Sequence, residues 1–309
     1  MNNRILVLVV ILLIPVALVS SFRETSALEE EKPSVLVMPE VTVRLKLTAT
    51  EEIIEIPLEE YIIGVVAAEM PALFHEEALK AQAIASRSYA LSKLDINREF
   101  DLVDTVANQV YISVEQMKEK WEDDFEIYYE RIKSSVEATR NMVLVHNNQI
   151  IIAYYFAMSN GFTEYSELVF LEARDYLKSV ESVWDNDSVR NYSVETRMSR
   201  REFCDKLEVE CRSLSAIITD RSDSNRVNEI KVNNTIFRGT DFRHKLGLRS
   251  TDFDIEIRSE FIYITTRGHG HGVGMSQRGA NGMANAGKTF QEILKHFYQN
   301  VEIIELKNV

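Results

Sequence analysis

Arg267-Gly-His-Gly-His-Gly-Val-Gly-Met-Ser-Gln-Arg-Gly-Ala280 is the stretch on which the reading of this chain turns. Four glycines and two histidines fall between Gly268 and Gly274. So glycine-rich a run permits positive φ and lets backbone approach a ligand closely. The helical pattern that follows would aim its first N–H groups into the same space. On its face the loop suits a metal or a phosphate, and its use has to be found elsewhere in the chain.

Working outward, Glu260 to Thr266 reads as a strand feeding the loop. Met275 to Ala286 predicts a helix that Gly287 stops. Thr289-Phe-Gln-Glu292 is a capping box for a last helix ending near Gln299. Upstream, from about Asp187 to Tyr263, the texture changes. Val194 to Leu207 reads as a helix, Ala216 to Phe237 as short strands, and His244 to Leu248 as another helical piece. Residues 187–263 are therefore read as an inserted subdomain.

Further back, Val41 to Ile56 alternates in hydrophobicity and predicts a hairpin. A helix follows between Pro57 and Pro71. Leu58, Ile62, Val65 and Glu69 fall on one stripe of it. Glu69 is thus a carboxylate on an apolar face in a last helical turn. Burial and the negative end of the helix dipole both raise a carboxylate's pKa. A general acid needs that environment at neutral pH; the alternative is a Glu that snorkels out at the helix end. The next helix is expected from about Glu76 to Leu94, with Leu79, Ala83, Ala90 and Leu94 on one stripe and Arg87 in its middle. A charge rarely faces inward alone, so Arg87 either pairs with a structural carboxylate or lines a cleft. Asp104 to Tyr111 reads as an irregular segment entering a strand, and Lys118 to Arg140 as a charged helical stretch. Met142 to Val145 and Ile150 to Phe156 read as a hairpin around Asn147-Asn148. Ser159-Asn160-Gly161 is a polar turn leading to Thr163-Glu164, and Tyr176 to Val180 follows.

The 309 residues suffice for one large domain or a core with an insertion. With 35 basic and 48 acidic residues the chain is acidic, which argues against duplex nucleic acid as a partner. Cys204 and Cys211 allow one local disulfide or two free thiols. Ile5 to Phe22 is uncharged between Arg4 and Arg23. Its length is at the lower edge for a membrane-spanning helix. A cleaved signal peptide is the alternative, but the cleavage site is weak. Residues 1–22 are read as an anchor, 23–40 as a linker and 41–309 as an exported domain. The fold class expected is α+β: helices and antiparallel strands forming a catalytic core with an inserted subdomain, preceded by a transmembrane anchor.

The pair His269-Gly-His271 invites zinc, and with it a His-x-His metallopeptidase as a further alternative, yet a zinc site needs a third ligand, commonly from His-x-x-x-Asp or His-Glu-x-x-His. Neither occurs: Glu-Glu-Ala-Leu follows His75. No Gly-x-Ser-x-Gly elbow supports a serine hydrolase either. No metal and no cofactor are expected.

The loop from Gly268 to Ala280 closely resembles the C-terminal signature of the sporulation protein D family. Val65-Val-Ala-Ala-Glu-Met-Pro71 with Ala81-Gln-Ala-Ile-Ala-Ser-Arg-Ser-Tyr89 resembles its N-terminal signature. Asp104-Thr-x-x-x-Gln-Val-Tyr111, Ser159-Asn-Gly-x-Thr-Glu164 and Tyr176-Leu-Lys-Ser-Val180 fill the space between, in order. The resemblance spans roughly Val41 to the end and is least distinctive over Asp187 to Tyr263. It implies a membrane-anchored lytic transglycosylase that cuts peptidoglycan strands already stripped of stem peptides, during engulfment of the forespore. It implies stage II sporulation proteins P and M as partners, and a mother-cell membrane location with the catalytic domain outside the cytoplasm. The catalytic glutamate of the family maps onto Glu69, and further functional positions onto Arg87, Tyr176, Lys178, His269 and His271. Ser159, Asn160, Ser276, Gln277 and Tyr298 complete the expected substrate-binding set; for Tyr298 a core position is an equal alternative. Some relatives carry zinc on a Cys and a His beside the Asp-Thr segment; here Val106, Ala107 and Asn108 stand there. Another relative enhances an amidase, so a non-catalytic wall-binding activator is the competing expectation. Stem-peptide removal leaves a lactyl carboxylate on each muramic acid, and Arg87 or Lys178 is expected to receive it.

Overall fold

The structure, a computed structural model, describes residues 37–38, 41–185 and 190–308. The expected anchor at 1–22 lies outside the described residues. Among the described residues no helix is long and apolar enough to cross a membrane. The unit Met38–Val309 is compact and mixes helices with mostly antiparallel sheets, so the α+β expectation holds for it.

At its centre lies a helix that is buried nearly all round. Strands Thr42–Lys46 and Ile53–Pro57 form the expected antiparallel hairpin. It leads into helices α1 (Leu58–Glu69) and α2 (Glu76–Leu91). From Ala78 to Leu91 only Lys80 of α2 is not buried. A single apolar stripe does not describe such a helix. Its alanines at 78, 81, 83, 85 and 90 let neighbours approach on every side. Those neighbours are α1, α4 (Phe125–Glu137), α8 (Gln277–Asn285), α9 (Phe290–Phe297) and the strand Met142–His146.

Several elements differ from expectation for local reasons. The segment after Asp104 enters no strand; it runs to Ser113, which caps α3 (Val114–Trp121) with a full capping box. The charged stretch is two helices, α3 and α4, because Glu122 takes a positive φ of 47° between them. Asn147 and Asn148 both have positive φ and close the hairpin of Met142–His146 on Gln149–Ile150. Tyr155–Phe156 leaves that hairpin and runs parallel to Met275–Ser276. Helix α5 (Ser166–Phe170) is short.

The chain from Ser193 to Arg267 builds a second core. Ser193–Ser199 is a strand, not the start of a helix: Val194, Thr196 and Met198 alternate, and the strand pairs with Phe261–Arg267. Only Arg200–Leu207, capped by Ser199, is helical (α6). Two three-stranded antiparallel sheets and helices α6 and α7 (Gly239–Leu246) enclose Phe203, Phe242, Phe253, Ile230, Ile262 and Ile264. Phe242 stacks on Phe253 with ring centres 5.0 Å apart. Cys204 and Cys211 form a disulfide at the end of α6, settling the choice left open by their number.

A polar seam joins this second core to the rest. Asn160 donates to Ser224 O at 2.7 Å and to Asp252 at 2.8 Å, and accepts from Arg226 at 2.6 Å. Glu164 accepts from the hydroxyls of Ser222 and Ser224. Arg226 is 2 % exposed, and these partners compensate its charge.

Candidate active site

Glu69 is the last residue of α1, where Met70 and Pro71 end the helix. Its Oε1 accepts the Val110 N–H at 3.0 Å, and its Oε2 accepts from Gln277 Nε2 at 3.3 Å. Val110 belongs to the Asp104–Tyr111 motif, and Gln277 opens α8 directly after the glycine loop. Three segments far apart in sequence therefore meet at one carboxylate. Burial raises the Glu69 pKa, and these two hydrogen bonds oppose the rise in part.

Backbone geometry explains the meeting. A Cβ on Gly64 would fall 2.2 Å from the Tyr111 ring. Without one, the motif crosses α1 closely enough for Tyr111 to stack on Tyr61, centres 5.6 Å apart. Val110 is thereby held over the helix end. In the loop, Gly274 has φ +77° and its absent Cβ would lie 2.0 Å from Tyr154 O. That contact seats Met275–Ser276 beside Tyr155–Phe156 and fixes the start of α8. Behind Glu69 a buried polar chain holds the geometry. Gln277 also reaches Gln82 at 3.4 Å, and Gln82 donates to Ser86 at 2.9 Å. Gln109 accepts from Tyr61 Oη at 3.2 Å and donates to Tyr155 Oη at 2.9 Å.

Glu69 is one of the residues lining a cleft of about 360 Å³, together with Pro71, Leu73, Lys120, Trp121 and Tyr128 among others. Trp121 and Tyr128 meet edge to face with centres 5.8 Å apart. Lys120 Nζ donates to Ala67 O at 3.0 Å, and burial lowers its pKa. One acid beside an aromatic wall can protonate an ether oxygen of a ligand that stacks on the wall.

The other expected site residues scatter. Arg87 lines no cleft: its side chain is 0 % exposed and it pairs with Glu59 at 2.7 Å. It also donates to Met142 O at 3.0 Å, so no external carboxylate reaches it. Tyr298 is fully buried and donates to Tyr154 O at 2.8 Å, which is the core alternative. Tyr176 is buried, and its Oη accepts from Arg174 at 3.1 Å. Lys178 lies 3.6 Å from Asp175 beside another cavity, of about 520 Å³, with His146, Asn147 and Asn300. Ser159 and Ser276 are enclosed, and both donate to Asp185, at 2.8 Å and 2.6 Å. Asn160 belongs to the seam. His271 packs among Tyr154, Phe156 and Phe170, and burial pushes its pKa down to about 3. It is neutral at any ordinary pH. The His269 side chain is exposed. Among the described residues no three His, Cys, Asp or Glu side chains cluster as metal ligands.

Sequence reasoning missed Gln82, Gln109, Asp185, Trp121 and Tyr128. The glutamines stand inside motifs already noted. The aromatic wall had a signal too: Trp121, Phe125, Tyr128 and Tyr129 recur at helical spacing in an otherwise charged stretch.

The family model described as Stage II sporulation protein matches residues 46–146, which include Glu69 and Val110. The molecule is thus of the class of stage II sporulation proteins. Stage II sporulation protein D of Bacillus subtilis is 39 % identical, covering 96 % of this chain and 92 % of the relative. Stage II sporulation protein D of Bacillus amyloliquefaciens is 42 % identical over 92 % of this chain and 84 % of its own. The chain belongs to the stage II sporulation protein D family. A more distant relative, the Amidase enhancer of Bacillus subtilis, is 26 % identical over 76 % of this chain and 39 % of that protein.

Proposed function

We propose that this protein is a lytic transglycosylase that cuts peptidoglycan glycan strands lacking stem peptides, anchored to the membrane by residues 1–22. The observation that carries the reading is Glu69: a single carboxyl, its pKa raised by burial, at a cleft with an aromatic wall. Glu69 as an acid gives its proton to the glycosidic oxygen as the C1–O bond breaks. As a carboxylate it then takes the proton of the muramic acid C6 hydroxyl while O6 bonds to C1. Glu69 ends protonated, no water is consumed, and the product carries a 1,6-anhydro end. Hydrolysis would call for a second carboxylate, roughly 5–10 Å away. The Glu69 carboxyl is held by two neutral donors, Val110 N–H and Gln277 Nε2, which suits one group acting first as acid and then as base. The Cys204–Cys211 disulfide fits a domain outside the cytoplasm. The forespore-engulfment role, with stage II sporulation proteins P and M as partners, rests on the family resemblance.

Mass spectrometry of denuded glycan digested by the purified protein tests the chemistry. Anhydro ends are expected, and reducing ends would overturn the route. The relative named Amidase enhancer favours a second reading, a non-catalytic activator of an amidase. That reading predicts no cutting by the protein alone and faster cutting by an amidase in its presence.

A further inference from the structure

Gln277 is held both by its backbone and by its side chain. It opens α8, and the residue before it, Ser276, caps that helix by accepting the Gly279 N–H at 3.1 Å. The Ser276 hydroxyl in turn donates to Asp185 Oδ2 at 2.6 Å. Ser159 and Ser182 donate to the same oxygen, each at 2.8 Å. Three hydroxyls converging on one buried carboxylate fix the start of α8 and leave the Gln277 backbone little freedom. What freedom remains lies in the side-chain amide, which can turn over and exchange its oxygen for its nitrogen.

Gln82 removes that freedom. Gln277 Nε2 carries two hydrogens; one points to Glu69 Oε2 at 3.3 Å and the other to Gln82 Oε1 at 3.4 Å. Gln82 is 0 % exposed, and its own nitrogen donates to Ser86 Oγ at 2.9 Å, one helical turn along α2. Turning Gln277 over would set its oxygen against two acceptors. Turning Gln82 over would set nitrogen against nitrogen, and a buried amide left so costs stability. The other partner of Glu69, Val110, is a backbone N–H and can only donate. Of these two partners Gln277 alone can change from donor to acceptor. Other titratable groups near Glu69 are the phenols Tyr61 and Tyr155 and, along the cleft, Lys120 and Tyr128. Burial raises both phenols, so they stay neutral while Glu69 titrates, and Lys120 is bonded to Ala67 O.

We propose that Gln82 is a positioning residue for proton transfer: with Ser86 behind it, Gln82 keeps the Gln277 amide turned as a donor to Glu69. The inference rests on the glycan-cutting reading above and deepens it. A protonated Glu69 then faces two groups that cannot accept its proton, so the proton is left for an oxygen in the cleft. Once the proton has gone, the same two donors steady the carboxylate until it takes the next one. Without Gln82, the Gln277 oxygen can turn towards Glu69, accept the acid's O–H and hold the proton inside the protein. Gln82 thus acts through Gln277, not on the substrate.

Gln82→Met in the full chain tests the arrangement. The Glu69 carboxyl is followed by NMR with carboxyl-labelled glutamate, its signal assigned by its loss in Glu69→Gln. A freed Gln277 no longer favours the ionised form, so the titration midpoint should rise by about one pH unit, the worth of one hydrogen bond. On denuded glycan kcat should fall about tenfold with the Michaelis constant unchanged. Ser86→Ala keeps Gln82 but removes its anchor. It should move the midpoint the same way by less, and it serves if Gln82→Met folds poorly. Gln277→Leu should raise the midpoint too, and Gln82→Met should add nothing to that rise. An unmoved midpoint in Gln82→Met and Ser86→Ala overturns the role. So does a Gln82→Met shift that adds in full to that of Gln277→Leu, or a loss confined to the Michaelis constant. Each of these leaves the reading of Glu69 intact. Parent protein that cuts no glycan overturns that reading instead, and the part of Gln82 in proton transfer with it.

Discussion

The two ends of α1 each carry a carboxylate near apolar packing, and the two do different work. Glu59, in the first turn, meets Arg87 in a two-pronged pair at 2.8 Å and 2.7 Å. The positive end of the helix dipole adds to that pairing. Glu69, in the last turn, sits at the negative end with only neutral donors, Val110 N–H and Gln277. Charge is compensated at one end and held back at the other. A helix whose ends are built this way ties one carboxyl to a buried guanidinium as a fixed part of the core. It keeps the other protonated to a higher pH than an ordinary glutamate.

Glu69→Gln sharpens the contrast most. Loss of one acid–base group should lower glycan cutting by about 10²–10⁴-fold or more. Binding of denuded glycan should survive, because the amide keeps the shape and one acceptor. Cutting at the parent rate by the purified variant would break the contrast outright.

Arg87→Ala acts at the other end and should register in stability. Removing one member of a buried pair leaves Glu59 uncompensated and costs about 3–5 kcal/mol. Urea denaturation measures it. Replacing both partners together, Arg87→Met with Glu59→Leu, should recover most of the loss. A stable Arg87→Ala protein with defective cutting would instead return Arg87 to the chemistry.

Glu69 and Arg87 also mark how far the sequence could be read. Each is a charge on an apolar helix face, and helical periodicity finds both. Periodicity does not reveal what lies opposite. Arg87 meets a carboxylate 28 positions earlier in the chain, whereas Glu69 meets an amide nitrogen and a glutamine 208 positions away. The hairpin, the glycine loop with its helix and the capping box at Thr289 were legible because each is a local pattern. The strand Ser193–Ser199 was misread as helix because its partner, Phe261–Arg267, lies far downstream. The aromatic wall was hidden by the acidic residues around it. The Glu122 turn, which separates α3 from α4 beside Trp121, leaves no composition signal.

Trp121→Ala probes the cleft side of the comparison. Losing a stacking surface costs about 1 kcal/mol, roughly fivefold in affinity. The Michaelis constant on denuded glycan should rise by that factor with kcat little changed. A fall in kcat alone would place Trp121 in support of Glu69 instead of against the sugar.

The smallest effect expected is also the most direct reading of Glu69 itself. Burial raises its pKa, so the native state binds its proton more tightly than the unfolded chain. Between the unfolded value, about 4.3, and the raised native value, the native state holds more protons. Wild-type stability therefore falls as pH rises through that window, relative to Glu69→Gln, and the gap is constant above it. Cutting should follow the same group. Its alkaline limb falls as Glu69 loses the proton it must donate. The Gln277 amide favours the ionised form, so Gln277→Leu should move that limb to higher pH and widen the stability window in the same direction. A limb that stays in place, or moves to lower pH, would mean that Glu69 is not the group whose proton limits cutting. The two carboxylates of α1 would then differ in packing alone.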